Sequence, residues 1–308
     1  MERPTAEQVR AALLEQKSKA ENFGKKGGDN ASYPFWNIPD NSTATVRFLP
    51  DADSENMFFW RQRLVIKMPF AGVVGGENPT DREVIITVPC VEMFGMACPV
   101  MAATRPMWKD GREDIARRYW KKKSYLMSGF VVNSPITEET VPENPIRRFV
   151  VNPSIYEIIE KSLISPDMED MPTDYIGGRD FKIAKTKKGE WSNYSTSSWA
   201  FKTRSLTETE RAAIDQYGLN DLKQGLGRIP DKAELEAIKE MFDASLAGEP
   251  FDVDSFGQYY RPYTSNNENN NTVSKVKEVL ATEKTETPSS GRINPQDVIQ
   301  RIRDRANR

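Results

Sequence analysis

The sequence predicts a mixed β/α fold: a small barrel with helical additions and a flexible arm at each end. Three observations carry this. Short β-branched or apolar runs bounded by turn residues recur from about residue 33 to residue 201. The helical patterns between them are short. Polar stretches rich in Gly or Asn set off both ends.

The elements follow in order. Residues 5–21, TAEQVRAALLEQKSKAE, read as a short amphipathic helix with Thr5 as N-cap. A helix of this length is marginal alone and needs something to dock on. The glycine-rich stretch after it places a hinge at 23–32. TATVRFLP alternates, with Val46 and Phe48 on one face, and RLVIKM, EVIITVP, YLMSGFVV and IRRFVV read as further strands. DFKIAKTKKGEWSNYSTSSWAF reads as two strands around the turn KKGEW. EDIARRYW and PSIYEIIEKSLI carry helical periodicity, the second with Ile155, Ile158, Ile159 and Leu163 on one face. The core is therefore placed at 33–263. Within it, 206–254 is a helical acidic subdomain with twelve Asp/Glu against five Lys/Arg. Residues 264–293 form a polar linker. Residues 294–308 form a short basic helix opened by Asn294 and Pro295.

Composition excludes several classes. Two cysteines, Cys90 and Cys98, are too few for a disulfide framework and point to a reducing compartment. MERPTAEQVR has no apolar segment of the signal-peptide kind. No apolar run approaches the ~20 residues of a membrane-spanning helix. The chain contains no histidine, which removes the commonest general base and the commonest transition-metal ligand together. GVVGGENPT lacks the phosphate-loop pattern. Asp110, Glu113, Asp114, Asp180 and Glu190 show no spacing of a two-metal nuclease. The reading is a non-enzymatic protein.

The net charge of −2 hides a partition. Residues 105–125 hold eight Lys/Arg against three Asp/Glu, and residues 180–204 hold six against two. Both stretches are rich in aromatics: Trp108, Tyr119, Trp120 and Tyr125 in one, Trp191, Tyr194 and Trp199 in the other. Cations neutralise phosphates and rings stack on unpaired bases, so this pairing fits single-stranded nucleic acid. Charge and aromatic density alone nominate Arg117, Arg118, Tyr119, Trp120 and Trp199.

A series of short segments resembles the single-stranded DNA-binding, helix-destabilising proteins of T-even-type tailed bacteriophages. In order they are RPTAE, ATVRFLP (44–50), CPV (98–100), KKKSYLMSGFVV (121–132), IRRFVVNPSIYEII (146–159) and the hairpin at 180–201. The resemblance implies an OB-fold, a five-stranded Greek-key barrel, with a basic, aromatic-lined cleft for single strands. By position, the cleft cations are Lys121, Lys122, Lys123, Arg147, Arg148, Lys185, Lys187 and Lys188. The stacking rings are Tyr125, Phe149, Trp191 and Tyr194. Residues 1–22, with Arg3 and Thr5, become an arm that binds neighbouring copies along the strand. The implied partners are single-stranded DNA, other copies of the chain, and replication and recombination proteins. The implied location is the cytoplasm of an infected host cell.

Two departures stand out. The family holds a structural zinc with one His and three Cys. Here CVEMFGMACPVM keeps Cys90 and Cys98, has Met101 at the position of the last cysteine, and has no histidine available. Met is a poor zinc ligand, so the expectation is no cofactor, with Met93, Phe94, Met96, Val100 and Met101 filling the space. The family tail is strongly acidic, whereas residues 264–308 hold eight Lys/Arg and six Asp/Glu. The alternatives are an interaction protein whose terminal helices bind protein partners, and an RNA-binding OB-fold protein.

Overall fold

The structure, a computed structural model, describes residues 31–138 and 141–262. The arm at 1–22, most of the hinge, the linker and the basic C-terminal helix lie outside the described residues, as do Arg3 and Thr5.

Strands dominate the described part. They are β1 (Ser42–Leu49), β2 (Arg61–Phe70), β3 (Val73–Val74), β4 (Val84–Pro89), β5 (Lys122–Asn133), β6 (Ile146–Val151), β7 (Arg179–Lys188), β8 (Trp191–Asn193), β9 (Ser198–Thr203) and β10 (Phe251–Asp252). The helices are α1 (Pro99–Met107), α2 (Glu113–Tyr119), α3 (Pro153–Ile164), α4 (Glu208–Tyr217), α5 (Lys232–Ala247) and α6 (Val253–Phe256), with 3-10 turns at Phe35–Asn37, Val91–Phe94 and Leu222–Leu226. Helix starts follow local chemistry. Asn152 caps α3 by accepting from the Ile155 amide, ahead of Pro153 at the first helical position. Thr207 and Glu210 close a reciprocal capping box on α4. The sequence reading missed α1, where two prolines and no cap hide a helix.

Eight strands pair in one antiparallel sheet with the path β4-β2-β5-β1-β7-β8; β6 branches from β5 and β9 from β7. A parallel pair, β10-β3, stands apart from it. Among the described residues the pairing forms an open path and does not close on itself, where the sequence led to a five-stranded Greek-key barrel. Strand β5 is shared among three partners. Its residues 122–126 pair with β2, its residues 128–133 with β1, and its residues 125–130 with β6 on its other edge. Gly129 permits this: a Cβ there would lie 2.1 Å from the Arg47 carbonyl oxygen. The hairpin at 180–201 holds three strands, because β8 and β9 both return onto β7.

Two apolar clusters form the main core. The first joins Leu64, Ile66 and Met68 of β2 with Ile86 and Val88 of β4, Met101 of α1, Tyr119 of α2, and Ile238, Met241 and Phe242 of α5. The acidic helices are therefore built into the core. Burial of Ile238, Met241 and Phe242 contributes roughly 1.5–3 kcal/mol each. The second cluster gathers Val46 and Phe48 of β1, Tyr125 and Met127 of β5, Phe149 of β6 and Phe181 of β7. Beside it Arg47 is fully buried, donating to the carbonyls of Asp174 at 2.8 Å and Arg204 at 2.9 Å and pairing with Asp180 at 3.3 Å. Arg204 in turn clasps Asp180 and Glu210. This chain of charges ties β1, β7 and α4 together.

Candidate nucleic-acid interface

Strand register builds the candidate site. Side chains alternate across a sheet, and directly paired residues share a face. Tyr125 pairs with Val151 and Met127 with Phe149, and these four face the core. The opposite face carries Leu126 paired with Val150, Ser128 paired with Arg148, and Arg63 paired with Ser124. That face floors a groove of about 820 Å³. Trp36 and Asn37 form one wall, Ile136 to Glu138 another, and the segment from Asn220 to Gly225 a third. The last wall is pinned: the Leu222 amide donates to the buried Asp51 carboxylate, which also accepts from Asn56 and Arg61.

Three arginines line the groove, Arg63, Arg147 and Arg148. Arg147 is nearly buried. It makes a two-pronged pair with Glu138 at 2.8 and 3.1 Å, donates to the Ser32 carbonyl, and lies 5.7 Å over the Tyr33 ring. Burial lowers the pKa of Arg63 and of Arg148 from the ordinary guanidinium value.

The other nominated cations fall outside this groove. Lys122 and Lys123 are exposed at the start of β5, Lys122 donating to the Arg117 carbonyl. Lys121 pairs with Glu92, which also holds Arg105. Arg117 and Arg118 are exposed in the last turn of α2, Arg117 lying over the Trp108 ring. Lys185 and Lys187 pair with Asp40, and Lys185 also donates to the Trp36 carbonyl at 2.8 Å. That bond sets the base of the β7–β8 hairpin against the groove wall. Lys188 and Trp191 are exposed beyond it, Trp191 by 80%.

Most of the nominated rings are core residues, which corrects the sequence reading. Phe149 is fully buried and meets Phe48 edge-on. Tyr119 is buried, bonded to Ser245 and edge-on to Phe242. Tyr194 packs on Phe35 and Trp199 on Phe181. Tyr125 is 8% exposed and already stacked on Tyr156 at 3.5 Å. Trp120 is half-buried, edge-on to Trp108. Of the nominated rings, Trp191 alone presents a free face. The sequence reading missed Trp36, half exposed on the groove wall, and Arg63. Arg63 had a signal: within RQRLVIKM it sits out of phase with the buried Leu64, Ile66 and Met68.

The zinc that the resemblance implies does not fit these residues. Cys90 and Cys98 are both buried and their thiols hydrogen-bond to each other, which pushes Cys90 above and holds Cys98 below the usual thiol range. The third position is Met101, fully buried in the apolar cluster. Among the described residues no three His, Cys, Asp or Glu side chains come together. Two thiols do not make the four-ligand tetrahedral set of a structural zinc.

A groove lined by arginines, floored by a mixed polar and apolar sheet face and flanked by exposed lysines has the make-up of a site for an extended polyanion. A family model described as gp32 DNA binding protein like matches residues 40–223. The chain belongs to that family of single-stranded DNA-binding proteins. A search of curated proteins found no match.

Proposed function

We propose that the protein coats single-stranded DNA without regard to sequence, as a non-enzymatic protector of single strands in phage DNA replication, recombination and repair. The strand runs through the groove at Arg63 and Arg148 and out past Trp36 toward Lys188 and Trp191. Lys122 and Lys123 take phosphates at the other rim. The sheet strands β1, β5, β6, β7 and β9 act as the OB-type core, and residues 1–22 link neighbouring copies on the strand. The fold forms without a metal, and the site of action is the host cytoplasm.

The observation that carries this reading is the arginine-lined groove on the sheet face of a gp32-like chain. Titration of the intrinsic fluorescence of its six tryptophans with poly-dT tests it. The affinity should fall by orders of magnitude between about 50 and 200 mM salt if several phosphates are neutralised, and it should exceed the affinity for duplex DNA. Salt-independent binding, or equal affinity for duplex, would overturn the reading.

A further inference from the structure

Resting on the single-strand reading, we infer that Phe58, Trp60 and Tyr156 form the surface on which the N-terminal arm of a neighbouring copy docks, its cations set against the carboxylates around the rings. The rings are contiguous. Phe58 lies over Trp60 at 4.7 Å, Trp60 meets Tyr156 edge-on at 5.5 Å, and Tyr156 is stacked on Tyr125. Phe58 is 54% exposed and Met57 beside it 88%. None of Met57, Phe58, Trp60 and Tyr156 lines the groove, which is floored by the sheet face opposite Tyr125. The loop that carries the first two is tightly bonded. Asp51 accepts from Asn56 and Arg61, Asn56 also donates to the Trp60 carbonyl, and the Phe58 amide donates back to Asn56. A loop held in this way does not turn Met57 and Phe58 inward, and a fixed, exposed apolar patch marks a contact surface.

The rim of the patch is acidic. Glu55 on the loop and Glu157 and Glu160 on α3 are exposed, and Glu160 accepts from the Tyr156 hydroxyl. Burial and then Glu160 push the Tyr156 phenol up to about 12. Arg61, next to Trp60 in sequence, is taken by Asp51 and Asp53, and α3 adds a single lysine, Lys161. Such a rim repels phosphate. It attracts a cation carried beside apolar side chains, which meets ring faces and carboxylates together. Two copies do not join patch to patch, because like-charged rims would meet. The arm lies outside the described residues, and its sequence supplies the matching face. At helical spacing Ala6, Val9 and Leu13 form one stripe, and Arg3, Arg10 and Lys17, seven residues apart, form a second stripe next to it. Copies side by side on one strand hold each other's arms at high local concentration, so a weak contact suffices.

The experiment uses the full chain and two lengths of dT, one that holds a single copy and one that holds many. Phe58→Ala should leave affinity for the short strand unchanged. On the long strand it should lower the preference for contiguous over isolated binding by about tenfold, as loss of an interface ring does. Its melting temperature should barely move, because the ring is half exposed. Glu157→Lys, at an exposed carboxylate, should act in the same direction with stability intact. A synthetic peptide of residues 1–22 in excess should break up the coating of the long strand by wild type, and the same peptide with Arg3→Glu and Arg10→Glu should not. Wild-type coating by both protein variants, with wild type binding both strands, would overturn the docking surface and leave the single-strand reading standing. Equal loss on short and long strands would give the rings to the strand or to the copy's own arm, and would overturn it as well. If wild type ignores both strands but binds the peptide, and Phe58→Ala binds it about tenfold more weakly, the surface stands and the single-strand reading falls.

Discussion

Replacing Lys121, Lys122 and Lys123 together by Ala tests how many of the three lysines meet DNA. The basic run alone implies three phosphate contacts and a salt slope smaller by about 2.1, at ~0.7 per contact. The structure lowers that. Lys121 is held by Glu92 and has no charge to spare, whereas Lys122 and Lys123 project from β5 with no carboxylate on them. The slope should therefore fall by about 1.4, two contacts' worth. Between about 50 and 200 mM salt, wild type should lose roughly sevenfold more affinity than the triple variant. Three contacts would make that factor about 18, and none would make it about 1. Fluorescence titration with poly-dT at four or five salt concentrations resolves these values. Two of the three side chains are exposed, so the melting temperature should barely move. A slope identical to wild type would place the lysines off the DNA path and refute the reasoning.

Arg47→Ala should destabilise by about 3–5 kcal/mol, or roughly 6–20 °C in melting temperature, because it strips two buried carbonyls and Asp180 of their partner. Arg47→Met, which refills the volume, should cost less. In the same network burial alone would raise the Glu210 pKa, but the Arg204 guanidinium and the Thr207 amide outweigh it and hold the carboxyl below the usual range. Its contribution is thus complete above the unfolded glutamate pKa and fades as pH falls through the lower folded value, so wild type should lose melting temperature in acid faster than Glu210→Gln. Phe149→Ala should cost roughly 3–5 kcal/mol of stability, whereas Trp191→Ala should leave stability alone and cost roughly 1–3 kcal/mol of binding; the opposite pattern would reverse the placement of the two rings. Chelators should leave the melting temperature unchanged, and Cys90→Ser with Cys98→Ser should cost on the order of 1–3 kcal/mol; stoichiometric zinc in protein purified without added metal would refute this. Deleting residues 1–22 should spare binding to a short oligonucleotide and reduce contiguous coating of a long strand, and equal loss on both would refute the arm.

Strands and helices were legible wherever periodicity was strong. Leu64, Ile66, Met68 and Phe70 alternate with polar or half-exposed residues, and Ile155 and Ile159 mark the buried face of α3. Local signals do not set partner choice, so the open path and the three-way pairing of β5 were not legible. The site was half legible. The two basic stretches were visible as charge density, and the rings beside them were assigned to DNA because charge and aromatics were adjacent in sequence. Adjacency in a strand puts neighbours on opposite faces. In KKKSYLMSGFVV, Tyr125 and Met127 turn inward while Ser124, Leu126 and Ser128 face the groove side. Arg63 escaped notice because the three cations of β2, Arg61, Arg63 and Lys67, are spread along the strand and make no dense basic run. Its role comes from register with β5, and Trp36 comes from a 3-10 turn that only tertiary contacts place at the groove.

The pairing of cations with internal carboxylates also explains how a chain of net charge −2 carries a site for a polyanion. Lys121 is matched by Glu92, Lys185 and Lys187 by Asp40, and Arg147 by Glu138. These pairs relieve the repulsion that clustered cations would feel in the free protein, and they fix the hairpin and the groove wall in place. They also take those cations out of the electrostatic driving force. A strand that contacts Arg147 has to break an existing two-pronged pair, and no condensed counter-ion is gained by exchanging one internal carboxylate for one phosphate. The attraction then rests on cations with no carboxylate of their own among the described residues: Arg63 in the groove, Lys122 and Lys123 at one rim, and Lys188 beside Trp191 at the other. Counting lysines and arginines in the two basic stretches overstates the salt dependence for this reason. The carboxylates that hold the site together set how much of its charge a strand can use.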